Sequence, residues 1–122
     1  MTDLFENWTM QVRKGVLELC ILNALRDRER YGYELVKTVT SIPGIEVAEG
    51  TIYPLLSRLR LQGLVSTRLE ESPEGPARKY YTLTVKGTET AELMNLYFSG
   101  LTKAVEQLRA GAAPNPKSPA TP

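Results

Sequence analysis

Hydrophobic positions recur along the chain with two different periods, and the places where the period changes mark the elements. From Val12 to Asp27, "VRKGVLELCILNALRD" is apolar at positions 12, 16, 17, 19, 20, 21, 22, 24 and 25. That covers more than one face of a helix and predicts a segment buried against several neighbours. The residues before it, around Trp8, have weaker amphipathic character and read as a helical arm. After the charged "RDRER", the segment "YGYELVKTVTS" spaces Leu35, Val36 and Val39 as a single buried stripe, which Pro43 and Gly44 bring to an end. In "EGTIYPLLSRLRLQGLV", Ile52, Leu55, Leu56 and Leu59 fall at i, i+3, i+4 and i+7, which predicts a third helix. Pro54 would break a helix interior, so it sets the start near Gly50 or Thr51, where the proline falls in the first turn. Gly63 ends that helix.

Strand character follows in "LVSTRLEE" and returns in "RKYYTLT", with the turn formers "ESPEGPA" between them, so 64–83 reads as a hairpin with a loose tip. Thr84 is a plausible N-cap for a last helix of roughly 25 residues. Along it, Ala91, Met94, Phe98, Leu101, Val105 and Leu108 are separated by 3, 4, 3, 4 and 3 residues, a heptad seam widened by Leu93, Tyr97 and Ala104. The seam either covers its own domain or joins a second copy. A helix this long outruns so small a core, which favours self-association through Met94, Phe98, Leu101, Val105 and Leu108. Gly100 costs that helix about 1 kcal/mol against alanine, understandable where two backbones or a ligand approach closely. The final "GAAPNPKSPATP" holds four of the eight prolines and has nothing to bury.

The order helix, helix, helix, hairpin, helix predicts a mainly α fold: a winged helix-turn-helix with a two-stranded wing and a long C-terminal dimerisation helix. Residues 1–83 form the winged helix-turn-helix with its N-terminal arm, 84–110 the dimerisation helix and 111–122 a disordered tail.

Composition narrows the function. The chain has 122 residues, 42% hydrophobic and 24% charged, enough for one domain. It has no histidine and one cysteine, which removes Ser-His and Cys-His nucleophile pairs and thiolate or mixed zinc sites. Cys20 lies in an apolar run and reads as a small buried hydrophobe. The carboxylates Glu70, Glu71 and Glu74 sit in a solvated loop with nothing to perturb their acidity. No enzyme, cofactor or metal is expected. No run is long enough to span a membrane and the start, "MTDLFENWTM", lacks a basic signal region, so the expected location is the cytoplasm.

The formal charge of +1 hides a gradient. Residues 1–50 carry six basic and eight acidic groups, 51–87 six and three, and 88–122 three and three. Positive charge collects on the third helix and hairpin, which points to an anionic partner there. The outer face of the third helix offers Gly50, Thr51, Tyr53, Pro54 and Ser57 near its N-terminus, small or hydrogen-bonding groups that let a helix sit deep in a DNA groove. Arg58 and Arg60 supply charge for phosphates or a guanine edge. Arg78 and Lys79 do the same from the hairpin stem. Each has a plainer reading: Arg58 and Arg60 as solubilising charges, Tyr53 packed on the hairpin, Arg78 and Lys79 paired with Glu70, Glu71 or Glu74. A winged helix that binds proteins instead of DNA is the rival function. Trp8, Tyr97 and Phe98 are candidates to line a site for a planar aromatic ligand, or else belong to the dimer core.

Three stretches in order, "YGYELVK", "VAEGTIYPLLSRLRLQGLVS" and "EGPARKYYTLTVKG", resemble the PadR family of bacterial transcriptional regulators over about residues 12–88. The resemblance implies a homodimeric repressor, joined through its C-terminal helix, that binds a palindromic operator in double-stranded DNA and is released by a small aromatic effector. It also implies that Thr51, Tyr53 and Arg58 are recognition-helix DNA contacts and Lys79 a wing contact. The single C-terminal helix resembles the short subgroup of that family. The wing loop "SPEGPA" is more acidic and richer in proline than is usual there, and Phe98 stands about where a tryptophan would form a stacking platform.

Overall fold

The computed structural model describes residues 2–112. The expected disordered tail lies, from residue 113 onward, outside the described residues. Four helices and a small sheet follow in the order α1 (Thr2–Ala24), β1 (Arg30–Tyr31), α2 (Gly32–Thr40), α3 (Glu49–Leu61), β2 (Val65–Ser72), β3 (Gly75–Leu83) and α4 (Val85–Arg109).

The core is built from the stripes that periodicity singles out. Leu17, Ile21, Leu22 and Leu25 of α1 meet Leu35, Val36 and Val39 of α2 and Ile52, Leu55, Leu56 and Leu59 of α3. Val65, Tyr81 and Ala91 close it from the sheet and α4. The arm around Trp8 is continuous with the first helix, and its Leu4, Phe5 and Trp8 stay largely exposed.

Helix α3 begins one to two residues earlier than expected. Glu49 is its first residue, so Pro54 stands in the second turn and not the first. The amide proton that Pro54 lacks would have bonded the carbonyl of Gly50, which is solvent-exposed, so water can satisfy it. The helix ends as expected, with Gly63 at φ 79°, a left-handed backbone that favours glycine.

The two-stranded wing is β2 with β3, and a short third strand, β1, joins it in the sheet. The strand order is β1-β3-β2, all antiparallel, with Arg30 opposite Tyr81 and Tyr31 opposite Tyr80. Arg30 holds β1 in place by donating through Nε to the Ala24 carbonyl at 2.7 Å, capping the C-terminus of α1 with a cation. The hairpin tip is tight, contrary to the loose loop expected from its composition: Ser72 pairs with Gly75 across Pro73 and Glu74 alone. Neither turn residue has positive φ, so the turn does not match the strand twist unaided, and the register shift between Glu70 and Ser72 absorbs the mismatch.

Thr84 caps α4, accepting from the Gly87 amide at 2.9 Å. Only the start of α4 packs on the domain: Gly87 and Ala91 are buried and Met94 is half-buried against the core. Asn23 and Asn95 exchange side-chain hydrogen bonds of 2.9 and 2.8 Å between α1 and α4. Beyond them Phe98, Leu101, Val105 and Leu108 remain exposed along the seam.

Candidate nucleic-acid interface

Helix α3 lies on the core through Ile52, Leu55, Leu56 and Leu59, and this fixes where its other side chains project. At about 100° per residue, Pro54 and Ser57 point directly away from the core. Thr51 and Arg58 flank the helix on one side, Tyr53 and Arg60 on the other. All six are exposed. Leu61 shares the outermost line with Pro54 and Ser57 and is 79% exposed, a position that the buried stripe alone does not draw attention to.

The Tyr53 side opens into a cleft of about 600 Å³ between α2, α3 and the wing. Tyr31, Tyr33, Tyr53, Glu74, Arg78 and Lys79 line it, so the structure brings the α3 tyrosine together with both basic residues of the wing stem and with one acid of its tip. Gly32 lets α2 approach Tyr53 closely. A Cβ there would lie 3.3 Å from Tyr53 Cε1, so α2 begins against the tyrosine ring with no side chain between them. Tyr53 is therefore packed on α2 and yet 42% exposed, its plainer and its functional readings both partly met. Tyr81 forms the floor of the cleft. Burial first, then the neighbouring Tyr53, pushes the Tyr81 phenol up, and Arg60 pulls it back, which places Arg60 within electrostatic reach of this floor.

The wing cations are not consumed by the wing acids. Arg78 lies over the ring of Tyr31, 4.6 Å from its centroid, and among the described residues neither Arg78 nor Lys79 forms an ion pair. Glu70, opposite Arg78 in the register, bonds Arg68 instead at 3.0 Å. Arg68 also donates through Nε to Glu29 Oε2 at 3.0 Å and lies over Tyr80, 4.5 Å from its centroid. The Arg68 hydrogen bond holds the Glu29 carboxyl below the usual carboxylate range. Arg68 thus engages two acids, Glu29 and Glu70, and leaves Arg78 unpaired by its cross-strand neighbour. Sequence spacing carried no hint of this, because Glu29 and Arg68 lie 39 residues apart.

On the opposite flank, Thr51, Pro54 and Arg58 share a shallow groove with Lys14, Leu17 and Glu18 of α1. Arg58 forms an ion pair with Glu18. The expected DNA contacts therefore fall into two groups: Tyr53, Arg78 and Lys79 at the wing cleft, and Thr51, Pro54 and Arg58 at the α1 groove. Ser57 and Arg60 stand exposed on the helix face.

The three aromatics proposed for a ligand do not converge. Tyr97 and Phe98 line a groove of about 530 Å³ between α1 and α4, with Val12, Val16, Leu19 and Leu101 among the other walls. Trp8 is not part of that lining and packs against Phe5, with ring centroids 6.3 Å apart.

Residues 21–93 match the Transcriptional regulator PadR-like family. Among solved structures, a PadR-like transcriptional regulator from Bacillus cereus is 41% identical, covering 80% of this chain and 95% of that one, with a TM-score of 0.73. A PadR family transcriptional regulator from Eggerthella lenta is 31% identical over 88% of this chain and 93% of that one, with a TM-score of 0.76. Bacillus subtilis PadR, solved in complex with operator DNA, is 29% identical with a TM-score of 0.57; the match covers 63% of this chain and 44% of that longer one.

Proposed function

This chain belongs to the PadR-like family of transcriptional regulators, a family of regulators and not of enzymes, and on that premise we propose that it is a homodimeric repressor that binds a palindromic operator in duplex DNA. Two copies of α3 enter successive major grooves about 34 Å apart, with Pro54 and Ser57 foremost, Tyr53 and Arg60 on one flank and Thr51 and Arg58 on the other. The wing stem places Arg78 and Lys79 on the adjoining backbone. Operator occupancy excludes polymerase.

The observation that carries this reading is the wing cleft, where Arg78 and Lys79, neither of them ion-paired among the described residues, outnumber the one acid, Glu74, and converge with Tyr53 on the exposed side of α3. The operator complex of the Bacillus subtilis relative supports it from outside this chain. Dimerisation rests on the apolar seam of α4 from Met94 through Phe98, Leu101 and Val105 to Leu108, most of which its own domain leaves exposed. A small planar aromatic effector fits the groove at Tyr97 and Phe98, with Trp8 one helical turn before its Val12 wall on α1. Such a ligand lowers DNA affinity by its preference for a different dimer opening. A DNA-binding role places the protein in the cytoplasm, and no described helix is long and apolar enough to cross a membrane.

The test is recovery of a specific duplex from a random-sequence pool by the wild-type protein, followed by titration of Tyr53→Ala and Lys79→Ala. Tyr53→Ala should weaken the recovered duplex roughly tenfold or more, and Lys79→Ala, which removes one phosphate contact from each protomer, should weaken all duplexes alike and reduce the salt slope of the dimer by about 2. Unchanged retention by both variants would refute the reading.

A further inference from the structure

We propose that Glu18 of α1 is a positioning residue for DNA recognition, holding Arg58 in the orientation in which it meets the operator; this rests on the DNA-binding reading above. Arg58 stands on the flank of α3 that faces α1, and its guanidinium Nη2 donates to Glu18 Oε1. Among the described residues Nε and Nη1 engage no protein acceptor. One edge of the guanidinium is tied to the protein and the rest is left to bond a phosphate or a guanine edge.

The two partners are unequally buried. The Glu18 side chain is 34% exposed and that of Arg58 56%, so the carboxylate is the better anchored of the two. Glu18 is fixed by its place in α1 between Leu17 and Leu19, both buried. A free arginine must surrender its rotamer freedom when it binds, whereas one already tethered has lost much of it beforehand. The carboxylate also carries a cost, since its negative charge opposes a nearby phosphate. Glu18 therefore favours the one duplex geometry that Arg58 fits while disfavouring indiscriminate phosphate contact. Its effect is on specificity more than on raw affinity.

The experiment is a double-mutant cycle on the full chain. Wild type, Glu18→Ala, Glu18→Gln, Arg58→Ala and the Glu18→Ala/Arg58→Ala pair are titrated against a duplex that the wild type recovers from a random-sequence pool, and against a random duplex of equal length. Glu18→Ala should weaken the recovered duplex about fivefold and leave the random one unchanged or tighter. Glu18→Gln, whose amide oxygen still accepts from the guanidinium, should return to within about twofold of wild type. In the Arg58→Ala background, Glu18→Ala should change affinity by less than about twofold. If Glu18→Ala loses helical signal, Glu18→Met, which keeps the stem, runs the same cycle. Recovered-duplex affinity unchanged or tightened in Glu18→Ala overturns the proposal, and so does an equal loss with and without Arg58. Failure of the wild type to recover any duplex is a different result: it removes the DNA-binding reading itself, and this proposal with it.

Discussion

Replacing Gly87 by alanine sets helix propensity against a steric demand, and the two predict opposite signs. Gly87 lies in the first turn of α4, and propensity alone would make alanine more stable there by up to about 1 kcal/mol. The structure leaves no room for it. A Cβ at Gly87 would fall 1.9 Å from the Leu64 carbonyl oxygen, 2.9 Å from its carbon and 3.2 Å from Leu83 Cδ2. The first of these is about 1 Å inside the 3.0 Å that real Cβ atoms respect. Neither side can retreat freely. Leu64 accepts from the Thr84 amide at 3.1 Å and donates to Leu59 at 3.0 Å. Thr84 Oγ1 donates to the Gly63 carbonyl at 2.6 Å and Lys86 Nζ to the Gln62 carbonyl at 3.0 Å, so pulling α4 away stretches the bonds that tie it to the end of α3. Overpacking costs about 1–3 kcal/mol and one lost hydrogen bond about 1 more. Less the propensity gain, Gly87→Ala should destabilise by about 1–3 kcal/mol and lower the melting temperature by roughly 4–12 °C. Urea and thermal unfolding at matched protomer concentration measure this directly. Equal or greater stability in the alanine variant would show that α4 does not dock on Leu64 as described.

Two further outcomes follow from the surface. Leu101→Glu puts a charge into the exposed seam of α4 without touching the buried core, so sedimentation should show a shift from dimer to monomer while the helical signal persists; an unchanged dimer would place the interface elsewhere. Glu29 has its folded pKa below the unfolded value because Arg68 bonds its charged form, so its contribution is present above about pH 4.5 and lost as pH falls through the folded pKa. Glu29→Gln should therefore be less stable than wild type at pH 7, with the difference shrinking as pH falls below about 4.5, and a difference that stays constant or grows as the solution is acidified would contradict the Glu29–Arg68 assignment.

Burial within an element was legible in the sequence, because it is written in that element's own period. Ile52, Leu55, Leu56 and Leu59 are all buried, and so are Leu35, Val36 and Val39. Thr84 as a cap was equally readable, since a hydroxyl before a helical run serves the free amides there. The start of α3 was not, because Ala48 precedes the helix and makes no side-chain cap, leaving Pro54 as the only local marker. The strand Arg30–Tyr31 is two residues long and exists only through its pairing with β3, so no periodicity announces it. The site divides in the same way. Position on α3 marked Tyr53 and Arg58 as outward-facing, but the partner of each belongs to another element: Gly32 for Tyr53, Glu18 for Arg58. Composition marked the hairpin tip as loose when register holds it tight, and it offered Glu70 as a partner for Arg78 when Arg68 takes it.

Salt dependence of binding decides most directly whether α3 and the wing read duplex DNA. The chain is almost neutral overall at +1, so a steep dependence can arise only from the local placement of its cations. For the duplex recovered by the wild-type protein, affinity between about 50 and 200 mM salt should fall by at least a hundredfold, linearly in log affinity against log salt, as expected when a dimer neutralises several phosphates. A flat line over that range would mean that phosphates are not what this surface engages.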